Sequence, residues 1–128
     1  MPTKAKRPKY LNLFKIHMPV TAIASILHRV SGVFLMAFTP LSIYALAVSL
    51  RDAEGFAQVQ GWLQAWPVRA AVAIALWSLV HHLLAGIRYL FLDVGRGSDL
   101  VSATISARAV TYAGAVTLAG FALWVLAR

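Results

Sequence analysis

Ser25-Ile26-Leu27-His28-Arg29-Val30-Ser31-Gly32 stands at the front of a long apolar run, and the way its two ionisable side chains are accommodated decides the architecture. An imidazole and a guanidinium enter what is otherwise a lipid-soluble helix. Placing an arginine at membrane depth costs about 2.5–3.5 kcal/mol on insertion scales unless it meets a partner or an interface. An anionic or polar ligand is the natural candidate for what Arg29 meets. A second stretch, His81-His82-Leu83-Leu84-Ala85-Gly86-Ile87-Arg88, makes the same offer from another helix.

Composition puts both stretches in lipid. Of 128 residues, 60% are hydrophobic and 12% charged, and the mean hydropathy is +0.73. A soluble domain carries about 45–50% apolar and about 25% charged residues, so the excess apolar surface has to face hydrocarbon. The expected class is all-α: an integral membrane anchor of three transmembrane helices preceded by a short basic interfacial segment. The absence of cysteine excludes disulfides, iron–sulfur ligation and thiol nucleophiles from this chain. Histidine remains as the main soft ligand.

The net charge of +8 does not point to nucleic acid. Lys4, Lys6, Arg7, Lys9 and Lys15 crowd the start of the chain, ahead of the first apolar run, which is the positive-inside pattern. A cleaved signal peptide is excluded by the length of that run and by the two that follow it.

In chain order, residues 1–20 read as a basic cytoplasmic arm on the membrane surface, broken by prolines, with His17 as an interfacial residue. Residues 21–128 read as the three-helix domain, with spans at about 21–50, 68–92 and 102–126. Roughly 20 residues cross about 30 Å of hydrocarbon, so the first span overhangs and holds Ser25, His28 and Arg29 near the cytoplasmic edge. Pro40 after Thr39 predicts a kink that a threonine hydroxyl could accommodate. Residues 51–67 read as a polar loop with Trp62 and Trp66 as interfacial anchors. Asp93, Gly95, Arg96, Gly97 and Asp99 mark a tight turn, with Ser98 or Asp99 as the cap of the third span. That span is rich in Ala and Gly, which predicts one face in close protein contact. Lys and Arg concentrate on the side of the arm and the second turn, with Arg51, Arg69 and Arg128 on the other. The N-terminus is therefore expected on the cytoplasmic side, and the lack of a transit-like extension favours the inner (plasma) membrane of a bacterium.

Residues three, four and seven apart share a helix face. Ser25, His28, Arg29 and Gly32 follow that spacing, giving a hydroxyl, two groups able to carry positive charge, and a gap. Snorkelling to the headgroups would account for Arg29 alone but not for the four together. On the second span, His82 has a glycine one turn on, an arrangement that suits a haem: one axial nitrogen, then room for a flat ring. His81 and His82 project about 100° apart and cannot both face one ring. The other ligand comes either from His28 or, as favoured here, from a second chain, which leaves His28 and Arg29 to offset the two haem propionates.

Ser25 to Val33, preceded by Pro19 and Thr21-Ala22-Ile23-Ala24, resembles the cytochrome b556 membrane subunits of succinate dehydrogenase. His82-x-x-x-Gly86-Ile87-Arg88 followed by Asp93-x-Gly95 carries the second half of the resemblance, as do Arg7-Pro8 and Leu11-Asn12-Leu13 in the arm. The likeness implies a membrane-anchor subunit of succinate:quinone oxidoreductase (respiratory complex II), paired with a second small anchor and docking an iron–sulfur and a flavoprotein subunit. It implies that His82 is an axial ligand of a haem b shared with the second anchor, and that His28 and Arg29 lie near the propionates. It also implies that Ser25 and Arg29 belong to a ubiquinone pocket. Arg29 there would stabilise negative charge developing on a quinone oxygen while Ser25 binds a carbonyl. Tyr89 stands where many relatives have histidine and is assigned nothing. Asp93 is expected in a salt bridge with Arg88 or Arg96, or in a proton relay through water. The competing expectation is a haem-free structural anchor of a fumarate reductase or other respiratory complex, with His82 serving helix packing. A transporter is disfavoured because the middle of each span lacks a polar pathway.

Overall fold

The computed structural model describes residues 17–127. The basic arm lies largely outside that range. The described residues form four helices and no strand: α1 (Val20–Ser49), α2 (Ala53–Gln64), α3 (Trp66–Asp93) and α4 (Leu100–Leu126). Three of them, α1, α3 and α4, are long and apolar enough to cross a membrane. Their bounds fall within two residues of those read from hydropathy, because a run of about 20 apolar residues leaves few alternatives in lipid.

α3 is the central helix and packs against both α1 and α4. The residues at its seams are small: Ala24, Ala73, Ala85 and Ala107 are buried, as is Gly114. Hydrophobic driving force is weak between helices surrounded by lipid, so close backbone approach over small side chains supplies the packing. Large apolar side chains point outward instead, among them Met36, 73% exposed. The contact face of α4 is Ala107 and Gly114, whereas Gly120 has nothing near its Cα hydrogen and is not part of it.

The 51–67 stretch is not a loop. Asp52, extended at φ −166° and ψ 177°, caps a helix there by accepting from the Gly55 amide at 2.6 Å. Gly55 is buried against the Val48 carbonyl so tightly that any side chain would overlap it. Trp62 stacks on Tyr44 of α1, with centroids 6.2 Å apart. The sequence signals were present, an Asp cap and apolar groups at Phe56, Val59 and Leu63. Interleaved glutamines and Gly61 hid them. Ala65 ends α2 and Pro67 lies in the first turn of α3, where its missing N–H costs nothing.

α1 runs through Pro40 as one helix, and the Thr39 hydroxyl donates to the Leu35 carbonyl at 2.7 Å. Beyond α3, Gly95 and Gly97 have φ of 76° and 69°, the left-handed region that favours glycine. Gly95 N–H donates to Leu92 and Arg96 N–H to Phe91, which satisfies the last carbonyls of α3. Of the two residues expected as the cap of α4 it is Asp99 that serves, accepting from Ser102 N–H at 2.9 Å.

Candidate functional site

The seam between α1 and α3 brings together two imidazoles that the sequence places 54 residues apart. The His82 and His28 rings stack nearly parallel, 13° apart, with centroids separated by 4.1 Å. Each ring lies against a glycine of the opposite helix. A methyl group at Gly32 would come within 3.0 Å of His82 Cε1, and one at Gly86 would meet His28 Nε2 at 3.7 Å. The space beside Gly86, expected from the sequence to receive a flat ligand, therefore holds the His28 imidazole of this chain.

His82 is held by its Nδ1 atom, which lies 3.0 Å from the His28 carbonyl and 3.2 Å from Ser31 Oγ. Ser31 is fully buried and donates its own proton to the same carbonyl at 2.8 Å. A carbonyl can only accept, so Nδ1 carries the hydrogen, and in the neutral ring Nε2 keeps a lone pair. This is the orientation in which a histidine ligates a metal: one nitrogen donates to a backbone oxygen and fixes the ring, and the other faces the ion. Ser31 lies within the quoted motif, yet its role could not be read there because His82, the ring it helps to hold, is on another helix.

His81 faces the other way. It is 0% exposed, stacks on Trp77 at 5.6 Å between centroids, and presses on Gly114 of α4, where any side chain would overlap its Nδ1. Trp77 Nε1 donates to the Gly114 carbonyl at 3.0 Å and locks the same seam. Neither ring nitrogen of His81 has a hydrogen-bond partner among the described residues. The two adjacent histidines thus serve two seams, one on each side of α3.

Ser25 and His28 are half-buried and Arg29 is exposed. Arg29 makes no ion pair among the described residues. It presents its charge outside this bundle, on the turn beside the stacked rings. His17 is exposed. The expected bridge from Asp93 to Arg88 or Arg96 is absent among the described residues. Arg88, 7% exposed, donates instead from Nε to Ser106 Oγ at 3.0 Å and from Nη2 to the Ala103 carbonyl at 3.1 Å. Ser106 is across the seam on α4, and a serine there satisfies the guanidinium without a buried ion pair. The Tyr89 ring lies 5.2 Å from His28, and its hydroxyl is buried with no partner among the described residues.

Three apolar spans with an imidazole pair wedged between the first and second define a small polytopic membrane subunit with a built histidine site. Residues 3–122 match the family described as the succinate dehydrogenase/fumarate reductase transmembrane subunit. The chain is 40% identical over 124 residues to the succinate dehydrogenase cytochrome b556 subunit of Coxiella burnetii (strain RSA 493 / Nine Mile phase I), covering 94% of this chain and 98% of that protein. It is 33% identical over 116 residues to the protein of the same name from Paracoccus denitrificans, covering 91% and 88%. The chain belongs to the succinate dehydrogenase/fumarate reductase transmembrane subunit family.

Proposed function

We propose that the chain is the cytochrome b membrane anchor of a succinate:quinone oxidoreductase, and that His82 Nε2 would hold the iron of a haem b. The observation that carries this reading is the pinning of His82 Nδ1 by the His28 carbonyl and Ser31, which leaves Nε2 as the ligand atom. A b-type haem, when bound, supplies a one-electron carrier inside the hydrocarbon layer. A second small anchor subunit would provide the remaining iron ligand, since His81 is enclosed on the far side of α3 and His28 is stacked flat on His82. His28 and Arg29 offset the propionates, whose burial would otherwise be costly.

Ser25 and Arg29 are one helical turn apart on α1 and hold ubiquinone. The Ser25 hydroxyl donates to one carbonyl oxygen. Arg29 lowers the energy of negative charge as it develops on the ring, as a cation close to a developing oxygen charge does. Iron–sulfur and flavoprotein subunits dock on the same end and carry out succinate oxidation, so this chain's share of the activity is binding, positioning and electrostatics. The distribution of Lys and Arg supports an inner (plasma) membrane setting with the N-terminus in the cytoplasm.

Arg29→Ala is expected to lower succinate–ubiquinone reductase activity by about 10²-fold, the scale of removing one preorganised charge donor, and Ser25→Ala by less. Succinate oxidation by an artificial dye should be unchanged in both. Equal loss of the two activities would show that the substitutions damage assembly and that neither residue serves the quinone.

A further inference from the structure

The end of the bundle opposite the histidines carries a cation that the function above does not use. Arg69 lies in the first turn of α3, and its Nε is buried with no hydrogen-bond partner among the described residues. No side-chain cap hydrogen bond forms at the start of that helix. Arg69 lines a cavity of about 810 Å³ together with Gln60 and Gln64 of α2, and no carboxylate among the described residues lines it. Two carboxamides and a guanidinium therefore line one space with donors to offer and no anion among the described residues to accept.

The same cavity shares Leu76 and Trp124 with a second crevice of about 500 Å³ that runs past Gly120 between α3 and α4. The one hydroxyl there, on Thr117, is spent on the Ala113 and Gly114 carbonyls, and so the crevice is apolar in practice. A cationic, amide-lined mouth opening into an apolar crevice along a transmembrane helix matches a charged headgroup with an attached acyl chain.

We propose that this end of the bundle seats an anionic phospholipid, its phosphodiester on Arg69, Gln60 and Gln64 and one acyl chain in the crevice beside Gly120. Lys and Arg side chains near a membrane surface attract such lipids, and a guanidinium binds phosphate oxygens in a fork. A free phosphate would use the same donors but would gain nothing from the crevice. The inference needs only that the chain spans a membrane, and it stands or falls separately from the haem reading.

The test uses the whole purified complex in nanodiscs of phosphatidylcholine doped with phosphatidylglycerol, with retained lipids counted by native mass spectrometry after release into detergent. The wild type is expected to keep phosphatidylglycerol in preference to phosphatidylcholine, and Arg69→Gln to keep about tenfold less, the loss of one charge-assisted contact. Arg51→Gln, at the same end but exposed and paired with Asp52, should match the wild type. If Arg69→Gln does not assemble, Gly120→Leu decides. Its side chain enters open space, so the fold is kept while the crevice is filled: loss of retention supports the proposal and full retention overturns it. A wild-type complex that carries no phosphatidylglycerol, equal retention of both lipids, displacement by inorganic phosphate, or an equal loss in Arg51→Gln would each overturn it.

Discussion

The two seams of α3 are built from the same residue type and solve opposite problems. On the α1 side His82 is hydrogen-bonded at Nδ1, and its ring edge is shaped by Gly32 and stacked on His28. On the α4 side His81 has no hydrogen bond among the described residues, and its ring fills the notch at Gly114 beside Trp77. One imidazole is oriented and the other is used as volume. If His82 holds the haem as proposed, the difference teaches that a membrane histidine is marked as a ligand by what fixes its second nitrogen, and not by depth or burial alone. His81 is the more buried of the two, and it is the less suited to bind anything.

The comparison can be broken first at Gly114. Gly114→Val forces a branched side chain into the space of His81, and overpacking of this kind costs about 1–3 kcal/mol. The purified complex should show a lower thermal midpoint, with the haem spectrum of the surviving fraction unchanged if the α1 seam is independent. A smaller effect is expected from Trp77→Phe. It removes one hydrogen bond, worth roughly 0.5–1.5 kcal/mol, and the low end applies because Thr117 Oγ1 also reaches the Gly114 carbonyl, at 3.0 Å. Thermal denaturation of this variant should shift by less than that of Gly114→Val.

The smallest effect lies outside both seams, at the start of α4. The Ser102 amide donates to Asp99 and holds its carboxyl below the usual carboxylate range, and the Gly55 amide does the same for Asp52. A depressed folded-state value means that the stabilisation is fully present above the unfolded value of about 3.9 and is lost as pH falls through the folded one. Asp99→Asn should therefore lose this small stabilisation at neutral pH, differ least from the wild type in acid, and flatten the acid side of a stability–pH profile below about pH 4. Because both groups are exposed, solvent keeps the effect small.

What could be read from the sequence was set by lipid, and what could not was set by neighbours. The three spans were legible because hydrocarbon leaves the backbone few choices. α2 was not, since twelve residues with four amide or acid side chains and two glycines look like a loop until Gly55 is seen under the Val48 carbonyl. The 100° between His81 and His82 showed that they part company, but only the position of Gly114 on α4 says which one turns inward. Arg88 found Ser106 across the seam and not Asp93 nearby in sequence, because a buried guanidinium is satisfied by whatever acceptors the facing helix provides. Gly86 was read as room for a porphyrin, and the nearest occupant is His28, which the sequence alone could not place.

The central claim, that His82 and not His81 holds the haem, is tested most directly by the reduced-minus-oxidised absorption spectrum of the whole complex. His82→Phe and His81→Phe are to be compared with dye-linked succinate oxidation confirming assembly of each. The expected result is no b-type band in His82→Phe and an intact band in His81→Phe, where a ring of similar volume replaces one with no hydrogen-bond partner among the described residues. A band that survives in His82→Phe, or one that is lost only in His81→Phe, would contradict the account.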